Sequence, residues 1–377
     1  MSGVVVATDA SFSDSGPGRW RVESFTRALA AVGGGTVVCA GTPESPLPEG
    51  VVHVPIDTAP GLSTERRVGA LSDALFALLE SAPPVLVHVD ALEAASPVAL
   101  ARPRRGRSIA LVLEPGVLPS QALRDRTPNL APRRLEDLVA LEDRLLARAA
   151  QVVAHAFVES ATLTKRGVEP ARLCVLPAAS PLLGDLEPPP ELAHLVAWVD
   201  GEPWCAWPVL LDALARVRRP WRATLLVGPG APIAAIEQHA RWARLTERVA
   251  LVRDLSNESL AARLQGARLV VGALNETRAV QAGALVPNAA LLSRAARRRL
   301  VAPALGPVHA HAGAGLVAHA AGGHDAETLS QIIEDALDAP EASLWTEEAE
   351  RFAAAHGDEV RTRALISLWR GHLAEDG

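Results

Sequence analysis

The sequence predicts an α/β protein built as two Rossmann-like parallel-sheet lobes in tandem. Three observations carry this. The chain has 377 residues, more than one hydrophobic core usually organises. Short apolar runs of strand length alternate with longer amphipathic segments in both halves. A proline-rich stretch over 177–190 interrupts that alternation once, after which it restarts.

In the first half, strands are expected at Val4–Thr8, Thr36–Ala40, Val51–Pro55, Val85–Val89, Ile109–Leu113, Gln151–Ala154 and Leu173–Leu176. Helices are expected between them. Val22, Phe25, Leu29 and Val32 share one face, Leu62–Leu79 forms a second helix, and Leu138, Leu141, Leu145 and Ala149 line a third. Strands separated by helices give a parallel sheet covered on both faces, and right-handed crossovers make it doubly wound. Beyond the prolines, strands are expected at Leu195–Val199, Ala223–Val227, Val249–Leu251 and Leu269–Val271. The helices there are Val209–Arg216, Ile233–Leu245, Ser259–Leu264, Glu327–Leu337, Leu344–Ala355 and Arg361–Leu373. This gives a first lobe over 1–176, a linker over 177–192, a second lobe over 193–355 and a terminal helical segment over 356–377.

Composition narrows the function classes. Hydrophobic residues make up 49%, enough for two cores. Lys+Arg is 37 against Asp+Glu 43, a net charge of -6, which gives no footprint for nucleic acid or for wholesale binding to an anionic membrane. No apolar run approaches the length of a membrane span, so no transmembrane segment is expected. The chain enters its first strand without a basic leader, which reads as cytoplasmic. Cys39, Cys174 and Cys205 are odd in number and widely spaced, which argues against a disulfide framework or a CxxC site. Neither cofactor nor metal is expected. The sole lysine is Lys165 and arginine supplies the remaining positive charge.

Several positions are candidates for chemistry. Gly16 and Gly18, in DSGPG, follow the first strand and precede the first helix, where backbone N–H groups approach a phosphate; a plain flexible turn is the competing reading. The spacing matches neither GxGxxG nor a P-loop. Gly228 and Gly230 end a second-lobe strand in the same way. His88 and Asp90 close the strand VLVHVDA, at the sheet edge where doubly wound folds present functional groups, although a locally hydrogen-bonded pair fits equally. Trp204 and Trp207 either stack on a ligand or pack a proline-bounded turn; packing is the preferred reading. Arg294, Arg297, Arg298 and Arg299 read as a solvated helix end, with phosphate or an acidic partner as the alternative.

The order of these segments resembles the retaining glycosyltransferases with two facing Rossmann-like lobes, the GT-B family (glycosyltransferase family 4-like). GPGRWRVESFTRALAAVGGGTVVCAG is similar to that family's first glycine-rich turn, helix and second strand. AAQVVAHAFVESATLTKRGVEPARLCVLPAAS resembles the end of its first lobe, and ATLLVGPG, TERVALVRDLSNESLAARLQGARLVVGA and GAGLVAHAAGGHDAETLSQIIEDALDAP resemble successive parts of its second. The resemblance implies donor binding in the second lobe and acceptor binding in the first, across a cleft, and a terminal helix over 356–377 that crosses back to the first lobe. It also implies a basic Arg/Lys pair on the donor diphosphate and two acidic residues for the sugar and ribose. The sequence departs at these places. Asp200 and Glu202 stand after the Leu195–Val199 strand, with no basic residue before Arg216. Glu276 takes the first acidic place and Gln281 the second, a degenerate pair. Glu114 stands where histidine is usual at a first-lobe strand end, joining His88 and Asp90 as acceptor-side candidates.

The expected function is therefore that of a glycosyltransferase-like protein with a degraded donor site, a pseudoenzyme that binds or assembles. Its candidate partners are a nucleotide or nucleotide-sugar, a glycan or another protein. The alternative is an active retaining transferase using a nucleotide-sugar. The histidines His309, His311, His319 and His324 are separated by two, eight and five positions, a spacing that does not converge on a tetrahedral metal. Elemental analysis of protein purified without added metal should accordingly find no stoichiometric zinc. One tightly held zinc, lost on replacing His309 and His311, would overturn this.

Overall fold

The structure is a computed structural model. It describes residues 3–14, 16–56, 64–81, 84–100, 109–127, 131–181, 183, 193–202, 204–273, 275, 288–303, 305, 308, 317–320, 325–338 and 347–375. The chain divides into two compact units, one of residues 1–14, 18–179 and 358–377, the other of 15–17 and 180–357.

Among the described residues the first unit holds a seven-stranded parallel sheet: β1 (Val4–Ser11), β2 (Gly35–Ala40), β3 (Val51–Pro55), β4 (Leu86–Val89), β5 (Ala110–Leu113), β6 (Gln151–Ala154) and β7 (Leu173–Val175). Their order is β3-β2-β1-β4-β5-β6-β7, so the winding reverses between β1 and β4. The helices are α1 (Pro17–Ala31), α2 (Thr64–Ser81), α3 (Ser96–Leu100), α4 (Pro119–Arg126), α5 (Pro132–Arg148) and α6 (Phe157–Lys165). Strand alternation sends side chains to two cores. Val5, Ala7, Val87, Val89, Leu111 and Leu113 face Leu71 and Leu75 of α2 and Leu145 of α5. Val4, Val6, Val37, Leu86, Val112 and Val153 face Phe25 and Leu29 of α1.

The second unit repeats the plan with β8 (His194–Val199), β9 (Arg222–Val227), β10 (Val249–Val252), β11 (Leu269–Val271), β12 (Arg299–Pro303) and β13 (Val317–Ala320). They are ordered β10-β9-β8-β11-β12-β13. Its helices are α7 (Trp207–Arg216), α8 (Ile233–Trp242), α9 (Asn257–Gln265), α10 (Asn288–Ala296), α11 (Ala326–Asp338) and α12 (Glu347–His356). Leu195, Ala197, Val199, Leu225 and Val227 pack against Leu210 and Leu214 of α7, Ile236 of α8, and Leu329 and Ile333 of α11. The strands β12 and β13 and the helix α10 have no counterpart in the pattern read from sequence. In β12 a run of only three apolar residues is bounded by an arginine cluster and a proline, too short to register as a strand.

The last helix, α13 (Asp358–Glu375), belongs to the first unit. Leu365 and Trp369, both fully buried, enter the α1-side core. Asp358 pairs with Arg27, the guanidinium of Arg361 lies 5.4 Å from the ring centre of Phe25, and Arg370 Nη2 donates to the Ala31 carbonyl at 3.0 Å. Residues contributed to a core from the far end of the chain make its stability dependent on them. Trp369→Ala should lower unfolding stability by about 3–5 kcal/mol through the void it leaves. A midpoint in denaturant within a few per cent of the wild type would contradict this.

Candidate functional site

The carboxyl edge of the first sheet gathers polar groups from four of its strands. Thr8 follows the last residue of β1 paired with β4, Asp90 and Glu114 directly follow β4 and β5, and His155 follows β6. Ala7 is in register with Val89, and Val89 with Leu113, so Thr8, Asp90 and Glu114 stand in one row at the winding reversal.

Asp90 accepts from Thr8 Oγ1 at 2.6 Å, from the Asp9 N–H at 3.3 Å and from Arg21 Nη1 at 3.0 Å. Burial, only partly countered by Arg21, pushes its carboxyl up to about 6. His88 is wholly buried. Its Nδ1 lies 3.1 Å from Trp369 Nε1, and an indole nitrogen only donates, so Nδ1 accepts and Nε2 carries the hydrogen. That Nε2 donates to Glu114 Oε2 at 3.1 Å. Phe25 and Trp369 flank the imidazole edge-on, with ring centres 5.1 and 5.8 Å away. Glu114 also takes two hydrogen bonds from Arg361 Nη2, at 2.8 and 3.1 Å, while Arg361 Nη1 donates to the Pro177 carbonyl at 3.0 Å. Burial would raise the Glu114 carboxyl. Arg361, the His88 hydrogen bond and His155 together outweigh it and hold the group well below the usual carboxylate range.

The sequence candidates His88, Asp90 and Glu114 are thus brought together, with their hydrogen-bonding atoms engaged inside the first unit. Three residues that the sequence did not single out complete the cluster: His155, Arg361 and Trp369. His155 is the more exposed of the two histidines around Glu114: its Nε2 lies 3.5 Å from Glu114 Oε1 and its side chain is 11% exposed. Burial, together with Arg361 and Arg21, outweighs the pull of Glu114 and brings its pKa down to about 4, so the ring is neutral near pH 7. Its placement directly after the strand QVVA is the signal that could have found it, being the same signal that marked His88 and Asp90. Arg361 and Trp369 offered no local signal.

The glycine-rich turns are shaped by packing. Asp14 Oδ2 accepts the Ser11 N–H at 2.8 Å and occupies the space a methyl group on Gly18 would take, bringing a carboxylate to the start of α1. Gly16 has φ 75°, a conformation that favours glycine. In the second unit, side chains at Gly228 and Gly201 would run into the Trp198 ring and the Gly230 carbonyl, respectively. The Gly201 N–H donates to the Pro229 carbonyl at 3.0 Å. These glycines allow the turns after β8 and β9 to touch. Asp200 is buried there and accepts from Trp198 Nε1 at 2.7 Å and from the Glu202 N–H at 3.1 Å. Beyond β11, the Asn275 N–H donates to the Trp204 carbonyl at 2.7 Å, and Trp207 packs edge-on to His239 with centres 5.8 Å apart.

Glu276 and Gln281 lie outside the described residues, as do His309, His311 and His324 and the side chain of His319. Among the described residues no group of three or more His, Cys, Asp or Glu side chains is arranged to hold a metal, and no helix is long and apolar enough to cross a membrane. Burial raises the Cys39 and Cys205 thiols to about 12, which leaves them protonated and unreactive.

Solved structures share this architecture. Sucrose-phosphate synthase from Thermosynechococcus elongatus matches with a TM-score of 0.72 at 18% identity, over 99% of this chain and 99% of its own. Anabaena HepE in complex with UDP-glucose matches with a TM-score of 0.70 at 12% identity, over 98% and 99%. WaaG, a glycosyltransferase involved in lipopolysaccharide biosynthesis, matches with a TM-score of 0.66 at 16% identity, over 96% and 98%. No family model matches the chain, and no curated protein does. The chain has the α/β two-lobe fold of the GT-B glycosyltransferases.

The shifted histidine gives a pH signature. The unfolded chain protonates His155 near its ordinary value of 6.5 and the folded chain only near 4. Between these values the unfolded state binds more protons, so the contribution is full above pH 6.5 and is lost as pH falls toward 4. Asp90 works in the opposite sense over an overlapping window, since its folded pKa is raised. The two are separated by mutation. Wild type minus His155→Asn, measured by denaturant unfolding, should fall by about 3 kcal/mol from pH 7 to pH 4. A flat difference would rule out the assigned protonation.

Proposed function

We propose that this GT-B-fold protein has a degraded donor site, does not itself transfer sugar, and serves binding or assembly, with a nucleotide or nucleotide-sugar, a glycan or another protein as its partner. The segment after β8 carries this reading. It holds the buried carboxylate of Asp200, tied down by Trp198 and the Glu202 N–H, and has no arginine or lysine before Arg216. A departing nucleoside diphosphate gains negative charge in the transition state and needs cations or oriented donors. Removing a single such donor costs about 3 kcal/mol, roughly a hundredfold in rate.

HepE was crystallised with UDP and glucose and with UDP-glucose, which makes uridine nucleotides the first probes for this chain. The second reading, an active retaining transferase, is favoured by the match to sucrose-phosphate synthase over 99% of both chains. In that case arginines from another segment replace the missing pair.

Calorimetric titration with UDP, UDP-glucose and other nucleoside diphosphates, followed by a donor-hydrolysis assay, separates the two. We expect binding weaker than micromolar and no turnover. Micromolar affinity together with hydrolysis that collapses in Glu276→Gln would restore the transferase.

A further inference from the structure

We propose that the second unit docks on an anionic lipid surface through the amino-terminal edge of its sheet, the edge opposite Asp200. The inference begins from strand register. His194 is paired with Arg222, and Leu269 is paired both with Leu195 and with Arg299. One step earlier along each strand, Arg248, Arg222, His194, Arg268 and Arg298 therefore form a single row across β10, β9, β8, β11 and β12. The Ala223 N–H bonded to the Arg248 carbonyl and the Arg268 N–H bonded to the His194 carbonyl, both at 2.8 Å, fix the row. Five strands at ordinary spacing make it about 19 Å long.

The return loops along this edge extend the charge. Segments 216–222, 241–248, 263–268 and 294–299 contain thirteen arginines and one carboxylate, Glu247. Nine of the arginines are exposed, whereas Arg294 and Arg298, read from sequence as part of a solvated helix end, are buried. The neighbouring end of α11 brings Glu334, Asp335 and Asp338. Glu334 accepts the Arg218 N–H at 2.6 Å, Asp335 accepts from Gln331, and Asp338 pairs with Arg219. These acids lie at one corner, and Arg222, Arg241, Arg244, Arg248 and Arg263 stand exposed along the rest of the edge. The net charge of -6 averages over this polarity and hides it.

Charge alone would suit any polyanion. Trp242 selects among them. It ends α8 between Arg241 and Arg244, is 74% exposed, and is the only large exposed hydrophobic side chain of the second unit among the described residues. An indole flanked by guanidinium groups settles at the headgroup level of a bilayer, with its ring among the acyl carbons and its N–H among polar groups. Arginines along the same edge add electrostatic attraction to anionic lipids. A nucleic-acid duplex would satisfy the arginines and leave the ring exposed.

Co-sedimentation of the full chain with vesicles of phosphatidylcholine, alone or with one-third phosphatidylglycerol, tests this. We expect binding to the anionic vesicles only, loss of binding in high salt, and at least tenfold weakening by the double substitution Arg241→Glu, Arg248→Glu. Trp242→Ala should weaken binding without altering its salt dependence. Arg253→Glu, an exposed site at the opposite end of β10, should bind as the wild type does. All four positions are exposed, and unchanged thermal unfolding confirms that the variants fold. Equal binding to neutral vesicles, no binding to anionic ones, insensitivity to the double reversal, or an equal loss in Arg253→Glu would overturn the proposal. Tighter binding to a DNA duplex than to anionic vesicles at equal phosphate would also overturn it, in favour of a nucleic-acid partner.

Discussion

The first unit depends on how one buried carboxylate is neutralised. Glu114 sits at the end of a central strand, 2% exposed, with its oxygens shared among Arg361, His88 and His155. An ionised group so placed is tolerable only when it is paired and hydrogen-bonded, and removing one partner from such a pair costs about 3–5 kcal/mol. The compensation comes from the last helix of the chain. Arg361 supplies the charge, and Trp369 fixes the orientation of His88, which directs its Nε2 hydrogen at Glu114. The position of α13, the tautomer of His88 and the depressed proton affinity of Glu114 are therefore aspects of one arrangement.

The second unit has the same winding and a different use of its strand ends. Asp200 closes its own turn through Trp198 and Glu202, and glycines let adjacent turns touch. In both units, acidic residues at strand ends that sequence position marks as functional are held by hydrogen bonds internal to the unit. A shared fold therefore leaves open what occupies those edges, and activity has to be argued from the groups themselves.

Most of the architecture was legible because its signal is local. Runs such as VVVAT and TVVCA are β-branched, strand-sized and flanked by helical periodicity, and they recur as β1 and β2. His88, Asp90 and Glu114 were found for the same reason, each terminating or following such a run. Their partners were not. Arg361 lies 247 positions from Glu114 and Trp369 lies 281 from His88, separations at which periodicity and motif spacing carry nothing. The strand β12 was lost because its three apolar residues stand between arginines and a proline. The arginine row was invisible for a further reason: its members are scattered over four loops, and only parallel register aligns them.

The first unit is discontinuous in the chain, being made of residues up to 179 and again from 358. A polypeptide emerges amino terminus first, and domains generally fold as they emerge. Here the nascent first unit exposes the surface that Leu365 and Trp369 will cover, with Glu114 lacking its guanidinium, until the second unit has been made in full. The first half of the protein is thus the last to be completed. Proteolytic loss of the final twenty residues would strike the unit whose sequence begins the chain.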